Sequence, residues 1–216
     1  SNLVYVGWPQ DLYAASSLDD AIKHQTTLLT DDWQLVTDCP LIDIIIECTG
    51  NPMAAVTHAV AAFAARKHVI NATVEADAFC GLGLAATAMN AGVIYSMAFG
   101  DQPALVCDLV DWARSCGFVV AAAGRGHLWQ PHYRFSTPET VWNHWGLTKE
   151  QAHRGRLNPK MFNAFLDGSK PAIESAAIAN ATGLNVPKNG LTYPSGSVDD
   201  IPNLMRPQSE GGILER

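Results

Sequence analysis

The middle of the chain alternates between short apolar runs and longer segments whose apolar residues recur at helical spacing. The first run, Leu41 to Ile46, is almost entirely aliphatic, which is typical of a parallel strand covered on both faces. We therefore predict a central strand there. Further strands are predicted at 67–72, 92–98 and 118–123, and helices at 52–66, 75–90 and 102–116.

Cap and turn residues separate these elements. Asn51 is a good N-cap and Pro52 a good first helical residue, so the first strand leads through a tight loop into a capped helix. Strands that alternate with helices of this length imply right-handed crossovers in a mostly parallel sheet. The predicted fold class is therefore α/β, with a Rossmann-like sheet.

The pattern changes after Gly124, where aromatic residues and histidines become frequent and helical signals begin near residues 137 and 159. The tail from Val186 is rich in proline and glycine and is predicted to be irregular. We predict two domains. Residues 1–124 form a dinucleotide-binding domain that is incomplete at its N-terminus, and residues 125–216 form a largely helical substrate and catalytic domain.

The start of the chain does not contain the expected phosphate-binding motif. Leu3 to Gly7 is predicted to be a short strand, but Trp8 and Pro9 follow it instead of a GxGxxG loop that opens a helix. We interpret this as the loss of the first βαβ unit from this sequence, since a parallel sheet without its first strands leaves an apolar edge. The alternative is a protein that does not bind a dinucleotide in the usual way.

Composition excludes several classes of protein. Hydrophobic residues make up 48% of the chain, which is enough for a well-buried core, and the net charge is −7 with scattered basic residues, which argues against nucleic-acid binding. No apolar run is long enough to cross a bilayer. The five cysteines contain no CxxC pair and are predicted to be reduced, so we expect a cytoplasmic protein whose partner is a small molecule.

Four loops follow the predicted parallel strands, and open α/β sheets bind ligands at the carboxyl ends of their strands. These loops are 48–51, 71–75, 99–103 and 124–127, and they should converge on one rim. Ordinary turns and caps would use the same residue types. The candidate cofactor-binding residues are Cys48, Thr49, Gly50, Asn51 and Asn71.

Asn163, Asp167, Lys170 and Glu174 are spaced by four, three and four residues, so a continuous helix would align them in one polar stripe. A solvated ladder of salt bridges would give the same pattern. The alternative is catalytic, because a lysine beside a carboxylate in a cleft can donate a proton to a developing alkoxide. Gly168 and Pro171 weaken the stripe, since either residue can break the helix.

Five segments carry a resemblance to a known family: IDIIIECTGNP (42–52), VEAD (74–77), GDQPALVCDLVDW (100–112), STPETVW (136–142) and MFNAFLDGSKPAIESAAIANATG (161–183). Together they resemble the homoserine-dehydrogenase-like oxidoreductases. The resemblance is closer to the branch that includes the deoxyxylulose-phosphate-reductoisomerase-like enzymes of bacteria. It extends from about Thr30 to the C-terminus.

The resemblance implies an NAD(P)-binding domain and a catalytic domain that also mediates self-association, with NADP as the expected cofactor and NAD as the alternative. Thr49 and Gly50 would line the nicotinamide side, and Asp101 and Gln102 would lie at the junction with substrate. Asp167 and Lys170 would form an acid/base pair. The predicted catalytic residues are Lys170, Asp167 and Asp101, and the predicted substrate-binding residues are Glu75, Gln102, Arg125, Asn163 and Glu174.

The sequence departs from the family pattern at two places. Arg125 replaces the lysine of a Gly-Lys-Gly turn, which is consistent with binding the anionic end of a substrate, and Val74-Glu75 replaces an Asn-Lys pair, which argues against homoserine. We therefore predict NAD(P)H-dependent reduction of a small phosphorylated or polyhydroxylated carbonyl compound.

Three alternatives stay open at this stage. A reductoisomerase would also need Mg²⁺ or Mn²⁺, with Asp101 and Glu75 as tentative ligands. A hydroxy-acid dehydrogenase of the homoserine type would need no such metal. A nucleotide-sensing protein without catalytic activity would bind the cofactor and leave Lys170 dispensable.

Overall fold

The computed structural model of the chain describes residues 2–215, which fall into two compact units with their boundary between Ile42 and Asp43. The predicted functional division at residues 124 and 125 stays a prediction. The first unit contains helices α1 (Asn2–Tyr5), α2 (Leu18–His24) and α3 (Gln34–Asp38) and a 3-10 turn at Gln10–Tyr13.

The predicted strand at residues 3–7 is wrong, because this segment forms α1 and the turn after it. The backbone N–H of Gly7 donates to the carbonyl of Val4 at 3.1 Å, and Val4 and Val6 are exposed. A strand needs a paired neighbour for its backbone groups, and the described strand pairs do not include this segment. Local hydrogen bonds therefore determine its conformation.

The second unit contains a parallel sheet, which confirms the predicted α/β fold class. Its strands are β1 (Ile44–Glu47), β2 (His68–Asn71) and β3 (Tyr95–Met97), in the order β1-β2-β3 with both pairs parallel. Helix α4 (Pro52–Ala64) connects β1 to β2, and α5 (Val74–Ala91) connects β2 to β3. Helix α6 (Gln102–Ser115) follows β3, so the predicted helices lie close to their expected positions.

The prediction that β1 is central is wrong, since β1 is an edge strand of the described sheet. Ile44 and Ile46 are 55% and 65% exposed, whereas Ile45 packs against the core. The predicted strand at 118–123 is also wrong. This segment has no strand partner among residues 2–215, and Val119 is 92% exposed.

One face of the sheet packs against α4 and α5. Phe63 and Val69 are each 1% exposed, and the ring of Phe63 meets the ring of Tyr95 edge-on with centroids 5.7 Å apart. Ile45 packs against the same cluster. Burial of these large side chains stabilises the sheet and fixes the positions of the loops that follow its strands.

The rest of the second unit is largely helical, as predicted. It contains α7 (Val141–Trp145), α8 (Lys149–Arg154), α9 (Pro159–Leu166), α10 (Ser169–Thr182) and α11 (Ile201–Leu204). Val141, Trp142, Ala152 and Leu166 form a second apolar core, and α10 packs against α5, α6 and α9. Among residues 2–215 no helix is both long and apolar enough to cross a membrane.

Helix α5 is kinked at Cys80, whose backbone is not helical (φ −149°, ψ 23°). The side-chain amide of Asn180, on α10, donates to the carbonyls of Asp77 and Ala78 at 3.0 and 3.1 Å. These carbonyls lie in the turn where the kink disturbs the regular hydrogen bonds of the helix. Asn180 therefore ties α10 to the kinked turn of α5.

We expect Asn180→Ala to lower the free energy of unfolding by about 1–3 kcal/mol, because two part-buried carbonyls lose their donor. Asn90→Ala is a matched control, since Asn90 is an exposed residue of α5 and its replacement brings the same gain in helix propensity. Urea unfolding of both variants measures the difference. Equal stability of the two variants would show that the Asn180 hydrogen bonds contribute nothing.

Candidate active site

The loops after β1 and β2 are joined through the buried carboxylate of Glu47, the last residue of β1. Its Oε1 atom accepts hydrogen bonds from the backbone N–H and the hydroxyl of Thr49, at 2.8 and 2.5 Å, and from the hydroxyl of Thr73 at 3.2 Å. Its Oε2 atom lies 2.7 Å from Nδ1 of His58 on α4. The backbone N–H of Gly50 donates to Thr73 Oγ1 at 3.0 Å, so the two loops are held side by side.

Burial raises the pKa of Glu47, but the hydrogen bonds from Thr49 and His58 outweigh it, so the net pKa lies below the ordinary value of 4.5. Glu47 is thus an ionised carboxylate that holds together the loops after β1 and β2. The sequence reasoning missed it. The available signal was a single carboxylate at the end of an otherwise aliphatic strand.

Asn71, a predicted cofactor-binding residue, takes part in a second buried network of hydrogen bonds. Its amide donates to the carbonyl of Thr73 at 2.9 Å and to Oδ2 of Asp77 at 2.7 Å, and Asp77 also accepts from the hydroxyl of Tyr95 at 2.7 Å. Burial raises the pKa of Asp77, and the hydrogen bonds from Tyr95 and Asn71 only partly offset this effect. The Asn71 side chain therefore stabilises the loop between β2 and α5.

Four charged residues among the predicted site residues meet in two ion pairs, and we call them the charged cluster: Glu75, Arg125, Lys170 and Glu174. Nζ of Lys170 lies 3.2 Å from Oε1 of Glu75, and Nε of Arg125 lies 2.5 Å from Oε2 of Glu174. Glu75 is in the first turn of α5, Lys170 and Glu174 are one turn apart on α10, and Arg125 is in the irregular segment after α6. The packing of α10 against α5 brings these segments together.

Burial raises the pKa of Glu174, and the positive charges of Arg125 and then Lys170 lower it by less. The side chain of Glu174 is only 3% exposed, whereas those of Lys170 and Glu75 are 20% and 29% exposed. The Lys170–Glu75 pair is thus the part of the charged cluster that a ligand can reach. The Arg125–Glu174 pair is the buried part that supports it.

The stripe of four polar residues does not lie on one continuous helix. Gly168 adopts φ +90° between α9 and α10, a conformation that glycine accommodates without strain. Asn163 and Asp167 instead form a local group in which the Asn163 amide donates to Asp167 Oδ2 at 2.9 Å. Asp167 Oδ1 accepts from the N–H and hydroxyl of Ser169 at 2.9 and 2.6 Å, and no described hydrogen bond or ion pair joins Asp167 to Lys170.

Asp101 and Gln102 lie at the start of α6. The Asp101 carboxylate accepts from the backbone N–H of Gln102 at 2.9 Å and caps the helix. Its negative charge contributes to the raised pKa values of both Asp77 and Glu174. Asp101 is therefore close to the charged cluster and to the Asp77 network.

The two tentative metal ligands do not fit a metal ion as they are placed. Glu75 is paired with Lys170, and Asp101 caps α6. Within residues 2–215 no group of three or more histidine, cysteine, aspartate or glutamate side chains is arranged to hold a metal ion.

The first turns of α4 and α5 follow strand ends, where a dinucleotide-binding sheet places the pyrophosphate. The Asn51 side chain accepts from the N–H groups of Met53 and Ala54, so the start of α4 is already capped, and Glu75 in the first turn of α5 repels phosphate. The described strand ends thus provide no pyrophosphate cradle. Cys48, Thr49 and Gly50 are exposed in the loop after β1, and the space beside Gly50 is open.

Two cavities are lined in part by residues of the site described above. One of about 250 Å³ is lined by Asp77, Tyr95, Met97 and Asn180 together with small residues of α5 and α10. The other, of about 410 Å³, lies beside Asp167 and Gly168 and is lined by Trp129, Arg134, Thr192 and Tyr193. Sequence reasoning assigned a binding or catalytic role to none of the residues that line the larger cavity except Asp167.

Open parallel α/β sheets bind ligands beyond the carboxyl ends of their strands, and Glu75 of the charged cluster follows such a strand end. The family model described as "Oxidoreductase DRL, catalytic domain" matches residues 100–216, more than half of the chain. The chain therefore belongs to this oxidoreductase family, and the matched part contains three members of the charged cluster, Arg125, Lys170 and Glu174. No curated protein matches the chain.

Proposed function

We propose that the chain reduces the carbonyl group of a small phosphorylated or polyhydroxylated compound, with Lys170 as the proton donor. The observation that carries this proposal is the reachable Lys170–Glu75 pair beside the buried Arg125–Glu174 pair, within a family of oxidoreductases. Reduction of a carbonyl creates an alkoxide, which needs a proton from a positioned acid.

Lys170 is suited to this role by its surroundings. Its ammonium group lies 3.2 Å from Glu75 Oε1, which restricts where the lysine side chain can point, and it is still partly open to a ligand. In this proposal Glu75 takes the positioning role that the sequence suggested for Asp167. Asp167 instead binds substrate hydroxyl groups, because its carboxylate is already oriented by Asn163 and Ser169.

NADPH supplies the hydride in this proposal, and NADH is the alternative donor. Thr49 and Gly50 would hold the nicotinamide end at the rim, where Glu47 and Thr73 fix the loop. We also propose that the chain self-associates through its catalytic domain, because it resembles the homoserine-dehydrogenase-like enzymes.

The reductoisomerase-like branch is favoured over the homoserine type by Glu75. A glutamate that is paired with Lys170 occupies the place where the dehydrogenases have a lysine, which changes the charge offered to the substrate. Oxidation of NADPH by deoxyxylulose phosphate only in the presence of Mn²⁺ would support the reductoisomerase reaction. Turnover of simple hydroxy acids or aldehydes without added metal would support a general dehydrogenase.

We expect NADPH at about 100 times its Kd to raise the free energy of unfolding by roughly 2.7 kcal/mol. Thermal denaturation with NADPH, with NADH and with ADP-ribose measures this effect, and ADP-ribose is the control because it lacks the nicotinamide ring. A shift with NADPH that ADP-ribose does not reproduce would support binding at the rim. An unchanged melting temperature with both reduced cofactors would contradict the cofactor part of the proposal.

A further inference from the structure

The smaller cavity, of about 250 Å³, lies between α5, β3 and α10. Most of its wall is apolar and is formed by Leu82, Ala85, Met97, Ala177 and Ala181. An apolar cavity of about 150 Å³ holds one benzene molecule. The smaller cavity therefore has room for a six-membered ring and a short polar group.

A glycine at residue 81 leaves the Asp77 carboxylate open to this cavity. Gly81 and Asp77 both line it, and a Cβ at residue 81 would lie 3.6 Å from Oδ1 of Asp77. Since residue 81 has no side chain, a ligand atom can approach that oxygen. Oδ1 accepts a hydrogen bond from the Tyr95 hydroxyl at 2.7 Å, and a carboxylate oxygen can accept a second one.

The Asp77 carboxylate is buried beside neutral donors. Asp77 is 2% exposed and forms none of the described ion pairs, although buried carboxylates are usually paired with a positive charge. Burial is the largest cause of its raised pKa, and the negative charges of Asp101 and Glu75 raise the pKa further. A positive charge brought by a ligand would therefore stabilise the ionised form of Asp77.

The charges around the cavity decide between ligand classes. The described residues that line it include no lysine, arginine or histidine. An anion would add a negative charge beside Asp77, where Asp101 and Glu75 already act. A neutral alcohol would fill the apolar wall but would leave Asp77 without a cation. A cation with an apolar body satisfies both the wall and the carboxylate.

We propose that the smaller cavity binds a small apolar primary amine, whose ammonium group donates to Oδ1 of Asp77 and whose apolar body packs against Leu82, Met97 and the alanines of α10. Hydrogen bonds between two charged groups are stronger than neutral ones. Asn180 holds this site in shape, because its amide ties α10 to the kinked turn of α5. The site shares no lining residue with the larger cavity and takes no part in the proposed carbonyl reduction.

The test is a titration of the intact chain at pH 7, followed through the ¹³C-methyl signal of Met97, which is assigned by its loss in Met97→Leu. We expect saturable movement of this signal with benzylamine. Benzyl alcohol has nearly the same shape without the charge and should bind about 10- to 100-fold more weakly. Benzoate should leave the signal in place. Equal affinity for the amine and the alcohol, tighter binding of benzoate, or no movement with benzylamine would overturn the proposal.

Variants of α5 test where the amine binds. Gly81→Ala places a methyl group in ordinary contact with Asp77, so the fold should be kept while benzylamine binds at least about 10-fold more weakly. Gly83→Ala is the matched control, because it brings the same gain in helix propensity and its Cβ lies in open space. Asp77→Asn should remove the preference for the amine over the alcohol. Unchanged affinity in Gly81→Ala, or an unchanged preference in Asp77→Asn, would contradict the proposed site.

Discussion

Lys170→Ala is expected to lower kcat for the proposed NADPH-dependent carbonyl reduction by about 10²- to 10⁴-fold, the usual contribution of a positioned general acid. The fold should be retained. The Lys170–Glu75 pair is partly exposed, and pairs of this kind contribute only about 0–1 kcal/mol to stability. Steady-state kinetics and the thermal unfolding midpoint, measured on the same samples, test both parts.

Two further variants separate proton donation from charge pairing. Lys160→Ala removes an exposed lysine from α9 and should leave kcat unchanged. Lys170→Arg keeps the positive charge beside Glu75, but a guanidinium group does not release a proton at neutral pH. Activity that returns in Lys170→Arg would assign Lys170 a positioning role, and full activity in Lys170→Ala would contradict the proposed mechanism.

Glu47→Ala is expected to destabilise the protein by about 3–5 kcal/mol, because the substitution leaves the buried Thr73 hydroxyl and the part-buried contacts from Thr49 and His58 without their anionic partner. Glu47 is only 4% exposed, and its carboxylate is contacted by Thr49, Thr73 and His58. Glu210→Ala, at an exposed glutamate near the C-terminus, is the control and should change stability very little. Urea unfolding at pH 7 measures both.

A comparison of the wild-type chain with Glu47→Ala at different pH values gives a second test. The pKa of Glu47 is lowered in the folded chain, so its contribution to stability is fully present above its ordinary value of 4.5 and is lost as the pH falls through the folded value. The stability difference between the wild-type chain and Glu47→Ala should therefore shrink below pH 4.5. A difference that stays constant or grows in acid would show that the ionised carboxylate does not stabilise the fold.

Periodicity predicted the βα units well because their apolar spacing is a local property. The strands that became β1, β2 and β3 and the helices α4, α5 and α6 were placed to within a few residues. Local spacing does not indicate which strands will pair with each other in the sheet. The aliphatic run of β1 looks the same at an edge as in a centre, and Phe118 to Ala123 has a strand-like composition but pairs with none of the described strands.

Some members of the candidate site were predictable from the sequence, but their pairings were not. Lys170 and Glu174 stood out through their spacing, and Glu75 through its place after a strand. The partner of Lys170 depends on how α10 packs against α5, which no local pattern records. Trp129, Arg134 and Tyr193 were missed for the same reason, since their common cavity exists only after irregular segments have packed together.

The packing of α10 against α5 has a consequence for folding kinetics. The contact between Lys170 and Glu75 spans 95 residues, and the contact between Asn180 and Asp77 spans 103, whereas each βα unit closes over a short stretch of chain. Contacts between distant segments form slowly because loop-closure entropy opposes them until other contacts compensate. The docking of α10 therefore sets the rate at which binding capacity returns after dilution from denaturant, and circular dichroism should recover before it.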